Sequence, residues 1–429
     1  MSSEVPFSIA VIGAGLGGLV LARVLQLHGV VVSIFEREPT SSSRGQGGSL
    51  DMHPGSGQYA LEIAQLTAQF RKVARPEDEG LKFADKHGTV VFEHAPPSSS
   101  PAEGSSSPRG GDRPEVDRGQ LRQLLLDSLH PDTVRWGHTL ESAQLSDNNT
   151  KVSLTFARAA SDSSSSPSPT TLDFDVVVGA DGAWSRVRPL LSPAQPTYSG
   201  VTFVETQLQL GDDDDHRDVI SQEAATLVGS GTLFALSDSR AIIAQRNSGG
   251  VVRIYAALRV PQGTFDAEAE AAQQQDAREP RASVLQYFDG WAPQLRALIE
   301  APSAIGFIIR PLWVLPSGHR WDHAPGGRAT LLGDAAHLMV PFAGAGANLA
   351  MADGADLGLA LAKAKTPSEL AERMREYEIA MQGRARGEWE MSMQNMDEFL
   401  SDGAPATAVE KMKEFMAGGG SPNTNQQPA

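Results

Sequence analysis

The sequence predicts an α/β chain whose parallel sheet is interrupted by an inserted antiparallel sheet and followed by a long C-terminal helix. Three observations predict it. Residues 7–37, FSIAVIGAGLGGLVLARVLQLHGVVVSIFER, read as strand, glycine turn, helix, strand and acid in that order. Residues 198–315 change texture to segments such as TLFALS, AIIAQR and VVRIYAALRV, whose period near two marks half-buried antiparallel strands. Residues 329–332 then return to a continuous apolar run ending in Gly333 and Asp334, and residues 367–401 keep helical composition with no proline after Pro367. The parallel part is therefore Rossmann-like and discontinuous, with the sheet inserted in it.

The first strand is residues 9–12, apolar throughout, as a strand buried on both faces requires. Gly13, Gly15 and Gly18 follow as GxGxxG at the head of an apolar-periodic helix, where bare backbone N–H groups attract a phosphate. The second strand, residues 30–35, ends in Glu36, 23 residues after Gly13. That spacing suits a carboxylate on the ribose hydroxyls of an adenine dinucleotide.

Two low-complexity stretches, residues 96–114 and 159–171, are rich in serine and proline and read as surface loops. Each follows strand-like sequence, GTVVFEH and KVSLTFA, so each is expected to be the elongated connection of a hairpin whose deletion costs little stability. The acidic run at 212–215 is read as a solvated loop. Next comes LDFDVVVGADGAWSRVRPLL, an apolar strand, a tight turn at Asp181-Gly182, and the expected start of a polar helix.

Residues 330–354, TLLGDAAHLMVPFAGAGANLAMADG, place Asp334 at a strand end, then Pro341, then a loop of small residues opening a helix. A carboxylate there accepts a ribityl hydroxyl, and Gly344 and Gly346 let backbone N–H groups approach an electron-rich ring. His337 is read as part of a packed turn rather than as a general base. Thr366-Pro367-Ser368 starts the last helix, with Gly383 and Gly387 as candidate bends. Met374, Met381, Met391, Met393 and Met396 are expected to pack along it, or to form a pliable ligand wall. The tail from Gly418 is expected to be disordered.

A chain of 429 residues with 40% hydrophobic content has room for two or three domain-sized units. Net charge of -16 and a pI near 5.1 argue against a nucleic-acid or anionic-membrane partner and for a small molecule. With no cysteine, disulfides, thiolate metal sites and sulfur-linked cofactors are excluded. The opening MSSEVPF lacks the basic and apolar regions of a secretory signal, so a cytoplasmic protein is expected; a monomer without metal is expected as well.

Taken in order, GAGLGG, GADGAWSRVR and GDAAHLMVPFAGAGAN resemble the single-component FAD-dependent aromatic hydroxylases of the para-hydroxybenzoate hydroxylase superfamily. Through GGSLDMHPGSGQYAL at 47–61 and PEVDRGQLRQLLLDSL at 114–129 the chain looks most like the tetracycline-inactivating flavin monooxygenases. The resemblance implies a GR2-type flavoprotein: a FAD-binding domain of residues 1–80, 114–190 and 318–365, and a substrate domain of 81–113 and 191–317. A C-terminal helix at 366–402 and a tail at 418–429 complete it, with the cofactor expected between the two domains.

By the same resemblance, Glu36 and Arg37 serve the adenosine end, Asp51 and Arg118 lie near the ribityl chain and ring, and Asp334 holds the ribityl-pyrophosphate stretch. Arg44 matches an NADPH-associated position, and Asp181 a turn near both nucleotides. Gly344, Gly346, Ala347 and Asn348 line the flavin ring, while Pro341 and Phe342 face substrate. Ala345 stands where the tetracycline enzymes have Gln, and matching from Gly200 puts Glu205 and Thr232 where they have a Gln and an Arg that contact the drug.

The activity implied is NADPH-dependent reduction of noncovalent FAD, addition of dioxygen as a flavin hydroperoxide, and hydroxylation of an aromatic, phenolic or polyketide-like substrate, tetracycline-like molecules included. No protein nucleophile is needed, so no catalytic side chain is assigned. Two alternatives stay open: a silent flavoprotein that sequesters or senses a polycyclic ligand, and a flavin reductase or oxidase on the same scaffold.

Overall fold

The computed structural model describes residues 7–43, 47–94, 113–157, 169–209, 222–267, 279–301 and 306–417. Arg44, most of both serine-rich stretches, residues 212–215 and the tail from Gly418 lie outside the described residues. The chain divides into two compact units, one of Met1–Val73, Arg118–Thr197 and Trp313–Met393, the other of Ala74–Asp117, Tyr198–Leu312 and Gln394–Ala429.

The first unit is built on a five-stranded sheet in the order Ala329–Leu331, Val176–Gly179, Ile9–Ile12, Val32–Phe35, Val134–Arg135. Every pairing is parallel, with Ile9 opposite both Val176 and Val32. The central strands are buried throughout, which is why their sequence is continuously apolar. The strand expected over 30–35 begins at Val32. A three-stranded antiparallel sheet of Leu140–Leu145, Val152–Phe156 and Thr170–Phe174 belongs to the same unit.

One of the two expected hairpins forms. Val152–Phe156 pairs antiparallel with Thr170–Phe174, closing at Phe156 opposite Thr170. The other expectation is corrected: Val90–His94 pairs backward with Leu81–Ala84, through a turn in which Asp85 Oδ1 accepts the N–H groups of His87 and Thr89, both at 2.9 Å. The short turn Asp85-Lys86-His87-Gly88 before the strand brings in that partner, and the serine-rich stretch leads on to Glu115, which bridges Arg75.

The polar helix expected after Asp181-Gly182 is also corrected. Gly182 sits at φ +78°, and only one 3-10 turn, Arg188–Leu190, follows. Side chains take the backbone donors that a helix would use: Asp181 Oδ2 accepts from Arg186 N–H at 2.6 Å, and Ser185 Oγ from Val187 and Arg188 at 3.1 and 3.0 Å.

Pro367–Phe399 is one helix of 33 residues running through Gly383 and Gly387. Thr366 Oγ1 accepts the Glu369 N–H at 3.3 Å, and Pro367 occupies the first turn where its missing donor costs nothing. Tyr377 donates to Leu331 O at 3.1 Å, and the fully buried Glu378 accepts from Trp321, Thr330 and His323, so the helix is fastened to the edge of the parallel sheet. Met374, Met381 and Met396 are buried, and Met391 and Met393 are half-buried.

The second unit holds a seven-stranded sheet in the order Ile308–Val314, Thr197–Gln209, Val251–Arg259, Arg240–Arg246, Thr232–Ser237, Leu81–Ala84, Val90–His94. Alternate residues of these strands, among them Val204, Leu208, Ile242, Val252 and Ile254, pack with the helices Gln222–Val228 and Pro293–Glu300 into one apolar core. The intervening residues form the opposite face, where Phe203 approaches Tyr255 and Phe83 stacks on Phe234.

Candidate functional site

The glycine turn forms as the sequence predicts. Gly13 leaves the first strand at φ +107° and donates to Phe35 O at 2.8 Å; a Cβ there would lie 2.4 Å from Ala180 O. Only glycine lets the two strand ends meet this closely. Gly15 differs: it precedes the helix Leu16–Leu27 with ordinary angles, and its missing Cβ faces open space. Glu36 folds over the turn, its Oε2 accepting from Ala14 N–H at 2.7 Å and its Oε1 from Glu38 N–H at 3.0 Å. Arg37 is exposed beside it. The buried Arg122 donates to Ala14 O at 3.0 Å and Ser41 O at 2.9 Å, fastening the turn to the loop beyond Glu36.

A second cluster gathers Asp51, Gly344 and Asn348. Asn348 Oδ1 accepts from His53 N–H at 2.9 Å, and its Nδ2 donates to Asp51 O at 2.9 Å and Gly344 O at 3.2 Å. His53 Nε2 lies 2.8 Å from Asp51 Oδ2. Gly344 turns at φ +65° with Asp51 Oδ1 2.9 Å from where its Cβ would be, so the Asp51 carboxylate and the small-residue loop share one place. Gly346 and Ala347 open the helix Gly346–Lys363, half-buried, with open space at the Cβ position of Gly346. Pro341 is exposed and Phe342 buried in the turn before it.

Arg118 starts the helix Arg118–Asp127, its N–H donating to Gly48 O at 3.1 Å, with Cδ 3.7 Å from the Cβ position of Gly47. Asp334 is exposed at the head of the short helix Asp334–His337, whose other three residues are buried. Asp181 lies against the glycine turn, its Cα 3.2 Å from the Cβ position of Gly13, with a buried Oδ1 that lacks a hydrogen-bond partner. Burial raises its carboxyl above the ordinary range, against the lowering effect of the Ser185 hydroxyl and the Arg186 N–H.

The two helices that begin at these clusters lie against each other through glycines. Cβ atoms on Gly17 and Gly354 would come within 2.4 Å of Ala350 O and 2.3 Å of Gly17 O, and one on Gly358 within 2.7 Å of Val24. Contacts that advance together along both chains mean parallel helices, so two N-termini, with their unpaired N–H groups and positive dipole ends, sit side by side. Two open glycines at two adjacent helix heads, each with a carboxylate next to it, fit an elongated anion bearing a polyol and an electron-rich ring.

His337 is a structural residue here. Its Nε2 is 2.6 Å from Asp353 Oδ2, and Asp353 also accepts from Gly333 N–H at 3.2 Å and pairs with Arg384 at 3.2 Å. Arg384 reaches Asp356 at 2.8 Å, which in turn takes the Tyr59 hydroxyl at 2.8 Å. Burial and that carboxylate push the Tyr59 phenol up to about 12. Burial lowers the pKa of His337, but the charge and hydrogen bond of Asp353 outweigh it, and the net shift is upward from 6.5. The imidazolium therefore contributes stability fully present below about pH 6.5 and lost as pH rises through the folded-state value. Urea unfolding of the parent chain should show stability falling above pH 6.5, and His337→Gln should remove that decline; an unchanged slope would refute it.

In the second unit, Glu205 is 1% exposed and bonds both Arg253 and Arg310. Thr232 pairs in register with Gln245 and donates its N–H to Gly80 O at 2.8 Å. Glu205 lies opposite Tyr255, Tyr255 opposite Ile243, and Ile243 opposite Phe234, two residues from Thr232. By strand alternation the two candidates share the face away from the apolar core. Arg122, Asp353 and Arg310 went unassigned in the sequence, since each acts through partners distant in the chain.

A family model described as an FAD binding domain matches residues 7–228 and 318–388, over half the chain. The chain belongs to that family, the para-hydroxybenzoate hydroxylase type. Among relatives of this FAD-dependent monooxygenase, the monooxygenase penA of Penicillium thymicola is 30% identical, the match covering 92% of this chain and 96% of that one. The 6-hydroxynicotinate 3-monooxygenase of Pseudomonas fluorescens is 27% identical, covering 82% of each. Two solved structures share the monooxygenase's fold. HpxO of Klebsiella pneumoniae, complexed with FAD and uric acid, superposes with TM-score 0.71 at 20% identity over 95% of this chain and 92% of that one. The tetracycline destructase Tet(55) superposes with TM-score 0.69 at 16% identity over the full length of both. Among the described residues no helix of the monooxygenase is long and apolar enough to cross a membrane, and no cluster of His, Asp and Glu is arranged to hold a metal.

Proposed function

We propose that the first unit holds FAD noncovalently and the second recognises substrate, and that the enzyme consumes NADPH and dioxygen to hydroxylate an aromatic, phenolic or polyketide-like molecule, tetracycline-like ones included. The observation that carries the reading is the pair of adjacent helix heads, each opened by a glycine whose Cβ position is empty. When bound, FAD supplies the redox chemistry, taking up hydride and activating dioxygen.

The chain's residues bind and orient. Glu36 exchanges the Ala14 N–H for ribose hydroxyls, with Arg37 alongside; Gly13, Gly15 and Gly18 admit the pyrophosphate. Asp334 accepts from the polyol, while Asp51 and Arg118 hold the neighbouring chain and ring. The N–H groups at Gly344, Gly346, Ala347 and Asn348 offset negative charge on the reduced ring. Asp181, already bound to Arg186 N–H, keeps the adjoining turn closed. Arg44 serves NADPH, and Pro341, Phe342, Glu205 and Thr232 face substrate. The names of relatives support an oxygenated ring substrate: one acts on 6-hydroxynicotinate, others are tetracycline destructases.

Stopped-flow absorbance of the flavin-loaded monomer with NADPH, with and without polycyclic phenols and tetracyclines, tests this. Expected are substrate-accelerated bleaching, dioxygen uptake, and a product heavier by one oxygen atom. Ligand binding without any bleaching would instead mark a sequestering flavoprotein, and peroxide release without oxygenated product an oxidase.

A further inference from the structure

The face of the second unit's sheet that points away from its apolar core carries an exposed arginine, Arg310. Glu205 is buried in the strand Thr197–Gln209, and its two carboxylate oxygens divide between two cations: Oε1 takes Arg253 Nη1 and Oε2 takes Arg310 Nε. One carboxylate between two guanidinium groups leaves one net positive charge on the trio. The two arginines differ in exposure. Arg253 is 14% exposed, whereas Arg310 is 49% exposed. The contact of Arg310 runs through Nε, and among the described residues no partner takes its two Nη groups. A guanidinium held by one edge presents the other as a rigid two-pronged donor, the geometry that matches an oxyanion.

The surroundings specify the rest of the ligand. Ile309 packs into the apolar core, so alternation puts Arg310 on the opposite face with Glu205. There Tyr255 lies directly opposite Glu205 across the ladder and Phe203 meets Tyr255 at 5.6 Å between ring centroids. A cationic fork beside two aromatic rings, tilted 47° to each other, fits a ring system carrying one ionised oxygen group.

We propose that Arg310 determines specificity by receiving an oxyanion, a carboxylate or ionised enol, on an otherwise apolar ring substrate, with Glu205 as the positioning residue that aims it. This rests on the proposal that the second unit recognises substrate, and a binding test separates it from turnover.

Calorimetric titration of the flavin-loaded protein at neutral pH with 1-hydroxy-2-naphthoate and with its uncharged carboxamide provides that test. The acid is expected to bind roughly ten- to a hundredfold more tightly than the amide, as one charge-assisted pair would give. Arg310→Met should erase the difference while leaving amide binding as it was, which also certifies that the variant is folded; Arg310→Lys should keep part of it. Equal affinity of acid and amide for the parent, no binding of the acid, or a preference that survives Arg310→Met would each overturn the proposal. The preference is read whether or not NADPH is consumed, so a failed turnover assay would count against the monooxygenase mechanism and not against this receptor.

Discussion

Replacing Asp353 with Ala is expected to lower the unfolding free energy by about 3–5 kcal/mol, because it strands a buried imidazolium and takes away an anchor of Arg384. Asp353 is 1% exposed and satisfies three donors from two segments: Gly333 N–H and His337 in one turn, and Arg384 on the long helix. Asp356 is not free to take over the His337 bond, since it is engaged with Arg384 and Tyr59. Asp353→Asn keeps the shape and one acceptor and should lose about half as much. Urea denaturation followed by tryptophan fluorescence measures both. A loss below about 1 kcal/mol for the alanine variant would mean that the cluster is no more than an ordinary surface pairing.

The second large effect separates fold from cofactor at two glycines two residues apart. Gly13→Ala puts a Cβ 2.4 Å from Ala180 O at a φ of +107°, so the turn has to open. Backbone strain of about 1–3 kcal/mol follows, and FAD retention should drop roughly ten- to a hundredfold together with the melting temperature. Gly15→Ala meets no atom within 4 Å and keeps allowed angles, so the melting temperature of the apoprotein should hold. Its new methyl group projects into the space assigned to the pyrophosphate, and FAD affinity should fall regardless. Equilibrium dialysis with FAD and apoprotein melting curves give the comparison. If Gly15→Ala bound FAD as well as the parent, the assignment of that opening to the cofactor would be wrong.

How much of this was legible in the sequence depended on how local the cause was. The strand over 9–12, the turn at Gly13 and the acid at Glu36 were readable because a buried parallel strand must be apolar and a tight turn must be glycine. The Thr366 cap was readable because it acts over three residues. Errors came where side chains compete with the backbone: Asp181 and Ser185 took the donors that the expected helix needed. The hairpin at Val90–His94 was assigned forward because serine-rich length outweighed the small Asp85 turn behind it. Partners that meet across tens of residues, such as Glu378 with Thr330 or Glu205 with Arg310, leave no spacing to read.

The glycine seam between Leu16–Leu27 and Gly346–Lys363 sets a length standard. Backbones that touch at Gly17 and Gly354 have no side-chain cushion through which to slide, so the two helix heads keep one separation, like the jaws of a locked caliper. A ligand gripped at both ends is measured against that gap. On the proposed placement of FAD across both heads, a mononucleotide would reach only one of them.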